Sequence, residues 1–510
     1  MAKRSVTRLH RMSNMYDVII RDGILVDPET GLEKRGDVAI RSGVIERVGA
    51  VSGAAVREID AAGQVVAPGF IDIHAHGQSI PADRMQAFDG VTTTLECEVG
   101  ILPVAKWYEK QADVGRVLNY GAAAAWAFAR ISAIIERPLE PSLSFMGKCF
   151  DDPRWSQNTA SDSESRKILA LVEQGLEEGG VGIGIPNAYL PGAGAKEIVD
   201  VCSLAARYDV PTYTHIAYSS NIDPRSSIDA YTRLIGYAGA TGAHMHICHF
   251  NSTSLQDVER AAELVLMAQK QGLKVTVEAY PYGTGSTVIG APFFADPAFR
   301  ERTGNDYPAI QKVENGQRIA SRDELLAAQQ ERPDTLVLWH FLDVEGVPRH
   351  RELLDASVLY PGGIIASDAM PWTLPDGSTY EGGEWPLPAE ASSHPRSSGT
   401  FTKFLREYMR ERKKVSLLEA MRRCSLGPAK IIESAAPQMR RKGRLQEGCD
   451  ADIVIFDPDT IADKAEFSAM NRRSEGVSFL LVNGEPVIDG GELRVDAAPG
   501  RPVRGRLGRR

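Results

Sequence analysis

Residues 68–76 read Pro-Gly-Phe-Ile-Asp-Ile-His-Ala-His, and they give the strongest local signal in the 510-residue chain. The apolar residues before the two histidines predict a short strand. Because side chains alternate along a strand, His74 and His76 point to the same side. Two imidazoles that converge from one strand end are an efficient start for a zinc site. An HxH pair also arises by chance, so a metal site needs further ligand residues elsewhere in the chain.

The middle of the chain, residues 67–435, alternates short apolar runs with amphipathic stretches. The apolar runs are GFIDIHAH, TTTLECEVG, GVGIGIPN, VPTYTHIA, AHMHICHF, KVTVEAYPY, TLVLWHF and GGIIASDA. This alternation predicts parallel βαβ units, and about eight units in this length indicate an α/β fold with a (β/α)8 TIM-like barrel. Residues 283–333 and 371–399 look loop-like, and the first is expected to form a lid insertion over the barrel mouth.

Both ends of the chain carry a different pattern of short apolar runs joined by turn signals such as Asp22-Gly23 and Asn483-Gly484. These signals are typical of hairpins. Residues 16–66 and 436–500 are therefore predicted to build one small β-sandwich domain together. Residues 1–15 are expected to be an N-terminal extension.

Composition excludes several classes of function. Hydrophobic residues make up 43% and charged residues 25% of the chain, which is ordinary for a globular protein. A net charge of -9 gives no basic footprint for nucleic acid. No apolar stretch approaches the roughly 18 residues that a membrane span needs. The six cysteines form no CxxC pair, which favours free thiols in a reducing compartment, so a cytoplasmic location is expected. A homo-oligomer is left open.

Further histidines close other apolar runs. His215 ends VPTYTHIA and His249 ends HMHICHF. Alternation groups His244 with His246 and places His249 on the other face. We expect His249 to be the metal ligand because it lies nearest the barrel mouth, with His246 as the alternative.

Acidic residues also stand at strand positions. Asp368 closes GGIIASDA, where it is either a turn or helix cap, or a metal ligand and general base that moves a proton from water to the leaving nitrogen. Glu96 and Glu98 share one side of TTTLECEVG. Carboxylates inside a barrel strand are unfavourable unless they are paired or metal-bound, so one of them is expected to bridge two metals, and a rim salt bridge is the alternative. Cys97 is a possible zinc ligand, but packing is the favoured interpretation.

These features together resemble the amidohydrolase superfamily. A narrower resemblance to the D-aminoacylase branch, the N-acyl-D-amino-acid deacylases, rests on VGIGIPNAYLPGAG, EAYPYGTGST, HPRSSGTF and the tail GRLQEGCDADIVIFDPDTIADKAEF. The resemblance spans residues 16–493. It implies a (β/α)8 barrel, a flanking β-sandwich and one or two divalent metal ions, usually zinc.

Carried over position by position, the resemblance assigns His74, His76 and Asp368 to one metal. His215 and His249 would bind the second metal, and Asp368 would be the general acid/base.

The chain departs from the branch at two places. Where the branch has Asn-Cys-Gly, this chain has Glu98-Val99-Gly100, so the bridging ligand is expected to be Glu98 rather than Glu96. A carboxylated lysine, used elsewhere in the superfamily, has only Lys148 as a weak candidate. Two residues after the last histidine, Asn251 replaces the usual lysine of the carboxylate site.

The implied reaction is hydrolysis of the C–N amide bond of a small molecule, most simply an N-acyl-D-amino acid, by metal-activated water. Substrate contacts are expected from Tyr189, Asn251, Tyr282 and Arg396, of which the guanidinium suits a carboxylate. A cyclic amide, a carbamate or another C–N bond is the alternative substrate, since fold does not fix substrate.

Overall fold

The computed structural model describes residues 15–508. The expected N-terminal extension lies outside the described residues except for Met15. Strands are numbered in chain order: β1 Tyr16–Asp27, β2 Leu32–Arg41, β3 Val44–Gly49, β4 Ala55–Asp60, β5 Val65–Pro68, β6 Phe70–Asp72, β7 Val91–Ile101, β8 Asn119–Ala125, β9 Ile183–Pro186, β10 Pro211–His215, β11 His244–Ile247, β12 Val275–Ala279, β13 Gly285–Val288, β14 Ile310–Lys312, β15 Leu336–Trp339, β16 Ile364–Ile365, β17 Ile453–Phe456, β18 Val477–Val482, β19 Glu485–Asp489 and β20 Glu492–Leu493.

The α-helices occupy the connections between these strands. They are α1 Ile80–Phe88, α2 Val104–Val114, α3 Trp126–Ile134, α4 Ser144–Lys148, α5 Arg154–Gln157, α6 Asp162–Glu177, α7 Ala195–Arg207, α8 Ser227–Thr241, α9 Phe250–Ser254, α10 Val258–Lys270, α11 Phe299–Thr303, α12 Arg322–Glu331, α13 Pro348–Val358, α14 Arg396–Phe404, α15 Leu417–Met421 and α16 Gly427–Ile432. Within residues 15–508, no helix is both long and apolar enough to cross a membrane.

An eight-stranded parallel sheet forms the predicted barrel, in the order β16-β12-β11-β10-β9-β8-β7-β6. The first and last strands meet just past their ends, where Ala75 bridges Ala369 and the His76 N–H donates to the Ala369 carbonyl at 2.7 Å. All eleven residues of β7 are buried. Such continuous burial is what a parallel sheet covered by helices requires. The (β/α)8 prediction is confirmed.

One barrel strand differs from the sequence expectation. TLVLWHF was expected in the barrel, but its strand β15 pairs antiparallel with β13 and β14 in a separate three-stranded sheet. The eighth barrel strand is instead β8, which the sequence did not predict because NYGAAAA lacks the β-branched side chains typical of strands. Its small residues suit the close approach of α6, because a Cβ on Gly175 would lie 2.8 Å from the Ala124 Cβ.

The insertion at 283–333 was expected to lack strands, and this expectation was wrong. It contains β13 and β14 together with α11 and α12, and β15 completes its sheet. Residues 371–392 remain without regular strands. They pack on α1 through a small core of Ala82, Met85, Trp372, Leu387 and Ala391.

The two ends of the chain build one nine-stranded sheet, in the order β20-β19-β18-β17-β5-β1-β2-β3, with β4 paired to β1. Alternate residues face two cores. Val26 and Val454 belong to the large core shared with the barrel, whereas Leu25 and Ile453 belong to a separate core. Because strands from both termini enclose that second core, the predicted composite β domain is confirmed.

Candidate metal centre

Six of the residues expected at a metal site converge at the carboxyl ends of the barrel strands. They come from β6, β7, β10, β11 and β16 or directly after them, and all are buried: His74, His76, Glu98, His215, His249 and Asp368. The position agrees with the general placement of active sites in (β/α)8 barrels.

The first group of donor atoms has spacings that fit a metal ion. His74 Nε2 lies 3.2 Å from His76 Nε2, 3.3 Å from Glu98 Oε2 and 3.5 Å from Asp368 Oδ1. His76 Nε2 lies 3.4 Å from both of those oxygens. Four ligands bound tetrahedrally at about 2.0–2.1 Å lie about 3.3–3.4 Å from one another. The donor set and its spacing therefore fit a zinc-sized ion.

The second carboxylate oxygen of Glu98 faces the other two histidines. Glu98 Oε1 lies 2.7 Å from His249 Nε2 and 3.0 Å from His215 Nδ1. One carboxylate thus contacts two groups of imidazoles, each through its own oxygen. This is the arrangement expected of a bridging ligand, and Glu96 does not share it.

Two further carboxylates orient the first histidine pair. Glu96 Oε2 lies 2.8 Å from His76 Nδ1, and Glu278 Oε1 contacts His74 Nδ1. Each ring is therefore held through Nδ1, which leaves Nε2 directed at the shared centre. A carboxylate behind a histidine ligand commonly fixes the tautomer in metal sites.

Sequence reasoning missed Glu278. Its other oxygen lies 2.9 Å from His246 Nε2, so the spare histidine lies behind the site rather than in it. The signal was present, because Glu278 interrupts the apolar run KVTVEAY in the way that Glu96 interrupts TTTLECEVG. The same argument about buried carboxylates applies to both.

The backbone at two of the site residues is strained. His249 has φ of 31° and Asp368 has φ of 52°. Non-glycine residues in this region carry a free-energy penalty that the surrounding structure must offset, and they cluster at functional sites.

Arg396 fixes the second oxygen of Asp368. Its Nη2 lies 2.9 Å from Asp368 Oδ2, the guanidinium lies over the Tyr280 ring at 4.6 Å from its centroid, and the side chain is fully buried. Burial raises the pKa of Asp368, but Arg396 and the neighbouring histidines outweigh burial and hold that pKa below its usual value. The carboxylate is therefore ionised at neutral pH and can accept a proton.

Electrostatics within the cluster follow from its crowding. Burial lowers the pKa of His74 and His76, but carboxylates, led by Glu278 and Glu96 respectively, raise both pKa values well above the usual range. For Glu98, burial raises the pKa, but the neighbouring histidines outweigh burial and hold the pKa well below its usual value. So many buried carboxylates need a compensating charge, which protons on the imidazoles or a divalent cation can supply.

A cavity of about 310 Å³ opens above this cluster. His76, Glu98, His215, His249 and Asp368 lie at its floor. Gly285 also lines the cavity and stands close to two polar groups, since a Cβ there would lie 3.3 Å from the Tyr280 hydroxyl and 4.0 Å from Arg396 Nη1. Ser286 Oγ and the Nε and Nη1 atoms of Arg396 are buried without a hydrogen-bond partner among residues 15–508.

The expected substrate contacts divide into two sets. Tyr189 lines the cavity, and Arg396 borders it from behind Gly285. Tyr282 and Asn251 do not line it, which corrects the expectation. Tyr282 donates its hydroxyl to the Gly399 carbonyl at 2.9 Å, and Asn251 donates to the Tyr280 and Tyr282 carbonyls, so both bind backbone instead.

Two weaker candidates also lie elsewhere. Cys97 is buried in an apolar cluster with Ile71 and Leu95, and burial raises the pKa of its thiol well above the usual value. Lys148 is an exposed side chain 3.3 Å from Glu140, away from the cluster. Cys97 thus packs against the barrel core, and Lys148 pairs with Glu140 rather than with the metal-site residues.

Known proteins resemble this chain over most of its length. A family model described as "Amidohydrolase family" matches residues 57–328 and 249–488. The chain is 27% identical to an N-acyl-D-glutamate deacylase of Alcaligenes xylosoxydans xylosoxydans, covering 97% of each chain, and 25% identical to a D-aminoacylase of the same organism, covering 93% and 95%. A crystal structure of an N-acyl-D-glutamate deacylase from Bordetella bronchiseptica, complexed with zinc and a phosphonate inhibitor, superposes with a TM-score of 0.76 at 23% identity, covering 96% of this chain and 100% of the other.

Proposed function

This chain belongs to the amidohydrolase family, and it is an enzyme that acts on C–N bonds other than peptide bonds. We propose that it is a zinc-dependent N-acyl-D-amino-acid deacylase. The resemblance to the D-aminoacylase branch is confirmed. The observation that carries the proposal is the convergence of four donor atoms at tetrahedral spacing, one of them from Glu98, whose other oxygen faces two more histidines.

We assign His74, His76, Glu98 and Asp368 to one metal ion. His215 and His249 would hold a second ion with Glu98 as the bridge. Zinc bound there would polarise the amide carbonyl and lower the pKa of water.

The protein's own residues move the proton. Asp368 accepts a proton from the attacking water as the water oxygen bonds to the carbonyl carbon. It then delivers that proton to the leaving nitrogen as the C–N bond breaks, so the products are a carboxylic acid and an amine, which ionise to a carboxylate and an ammonium group. Arg396 keeps Asp368 ionised and oriented through its 2.9 Å contact.

The substrate carboxylate has a matching site. Gly285 and Ser286 line the cavity, Ser286 Oγ has no hydrogen-bond partner among residues 15–508, and the unpartnered Arg396 Nη1 lies beside Gly285. A buried donor without a partner is unfavourable, and a bound carboxylate would satisfy both groups. This supports an acyl-amino acid over a cyclic amide or carbamate that carries no carboxylate.

A direct assay tests the proposal. Zinc-reconstituted enzyme is incubated with matched N-acetyl-D- and N-acetyl-L-amino acids, and the free amine is measured with and without a chelator. We expect chelator-sensitive release from the D series. If neither series is hydrolysed while dihydropyrimidine or hydantoin rings are opened, the deacylase proposal is wrong and the cyclic-amide alternative is favoured.

A further inference from the structure

One side of the cavity is an aromatic wall formed by Tyr189, Phe293 and Trp339. The Phe293 ring lies 5.6 Å from the Tyr189 ring and 6.1 Å from the Trp339 ring, measured between centroids. The wall adjoins the metal cluster, because the Tyr189 ring lies 5.1 Å from that of His215. All three aromatic residues line the cavity.

The polar atoms of this wall are already occupied. The Tyr189 hydroxyl lies 2.7 Å from Thr287 Oγ1, and Trp339 Nε1 donates to Asn305 Oδ1 at 2.9 Å. The wall therefore presents ring carbons to a ligand. Val288 and Leu336 extend this apolar surface along the cavity.

The cavity has little positive charge with which to bind a second carboxylate. Among residues 15–508, Lys110 is the one lysine or arginine that lines it, and Lys110 is exposed on α2; the histidines that line it belong to the metal cluster. Arg396 is committed through Nη2 to Asp368 and, on the proposed function, through Nη1 to the substrate's own carboxylate. A glutamate or aspartate side chain at the wall would be buried without a partner.

The wall is also close to the carboxylate site. Tyr189 contacts Thr287, which directly follows Ser286 in β13. A substrate that places its carboxylate at Ser286 places the neighbouring amino-acid side chain at the wall. Building on the proposed function, we propose that this enzyme selects acyl-amino acids with an uncharged, apolar side chain, unlike the relative named for N-acyl-D-glutamate.

Substrate comparison tests the inference. The kcat/KM of zinc-loaded enzyme is measured for the N-acetyl derivatives of leucine, phenylalanine, glutamine and glutamate, in both configurations. Glutamine matches glutamate in size and removes only the charge. We expect leucine and phenylalanine to exceed glutamine about 10-fold or more, and glutamate to be lower again by about 10-fold or more. Equal or higher kcat/KM for glutamate would overturn the inference.

A variant locates the selectivity. Phe293→Ala should lower kcat/KM for N-acetyl-leucine about 10-fold and leave N-acetyl-alanine nearly unchanged, because alanine does not reach the wall. Phe467→Ala is the matched control, since Phe467 is an exposed aromatic residue outside the cavity lining. Equal losses on both substrates would show that Phe293 has no part in selection.

Binding separates this inference from the proposed function. The affinities of the methylphosphonamidates of leucine and glutamate are measured calorimetrically on the zinc-loaded enzyme, without turnover. Tighter binding of the leucine compound without hydrolysis of any acyl-amino acid would support the apolar site and refute the deacylase. Hydrolysis of acyl-amino acids together with tighter binding of the glutamate compound would support the deacylase and refute the apolar site.

Discussion

Replacement of Glu278 by glutamine should weaken zinc binding without removing any proposed metal ligand. The Glu278 carboxylate contacts His74 Nδ1 through one oxygen and lies 2.9 Å from His246 Nε2 through the other. It also accepts the His249 N–H at 3.3 Å. Glutamine has one acceptor oxygen and one N–H2 group, so it can accept from only one of the two rings, and the other ring must change tautomer to accept from the amide.

The expected magnitude follows from the role of such carboxylates. Loss of the group behind a histidine ligand typically weakens metal binding 10- to 100-fold, or about 1.4–2.7 kcal/mol. The unfolding free energy of the metal-free protein should fall by about 1–3 kcal/mol, because charge-assisted hydrogen bonds to a buried carboxylate are replaced by neutral ones. At saturating zinc, kcat/KM should stay within about 10-fold of the unmodified enzyme, since Glu278 does not line the cavity.

Zinc affinity is measured by competition with a chromophoric chelator, and folding is checked by circular dichroism. Glu109→Gln, an exposed residue of α2, is the matched control and should not change the affinity. Unchanged zinc affinity in a folded Glu278→Gln protein would refute the assignment of Glu278 as the group that orients His74.

Three other predictions concern separate residues. Asp368→Asn should lower kcat about 100-fold or more while zinc content stays nearly intact, measured by steady-state kinetics and metal analysis; unchanged kcat would exclude Asp368 as general base. Glu98→Ala should lower the zinc stoichiometry and Glu96→Ala should preserve it, and the opposite pattern would move the bridge to Glu96. Burial and the nearby Arg318 lower the pKa of His340 to about 4, below its ordinary 6.5, so the unfolded chain takes up this proton first. The contribution of the neutral His340 ring to the unfolding free energy is therefore complete above about pH 6.5 and is lost as the pH falls toward 4. Between pH 7 and 5 this ring accounts for a loss of about 2 kcal/mol or less in unfolding free energy. Urea unfolding of His340→Gln should show a smaller loss over that range, and an equal loss would assign the acid sensitivity to other groups.

Local patterns in the sequence were enough to predict much of the site. The two-residue period of a strand placed His74 and His76 on one side, and the ends of apolar runs located His215 and His249. The same period paired Glu96 with Glu98. It could not show that one carboxylate stands between the histidine groups while the other lies behind His76, because that depends on the twist and closure of the barrel.

Long-range pairing decided what the sequence left open. The apolar run of β15 is as strand-like as any barrel strand, yet it pairs antiparallel outside the barrel, and alanine-rich β8 takes its place. Composition alone does not show which of β15 and β8 joins the barrel, because the pairing of strands depends on the packing of helices such as α6. Tyr282 and Asn251 were misplaced for a similar reason, since the connection after β12 and the short helix α9 set where these side chains point.

Titration of metal-free enzyme with zinc, followed by hydrolysis of an N-acetyl-D-amino acid, tests the metal centre most directly. We expect no hydrolysis without metal, a rise that ends at one or two equivalents of zinc, and no rise in a His74→Ala, His76→Ala double variant. Full hydrolysis by the chelated enzyme, or an unchanged titration in the double variant, would contradict the assignment of this cluster as the catalytic metal centre.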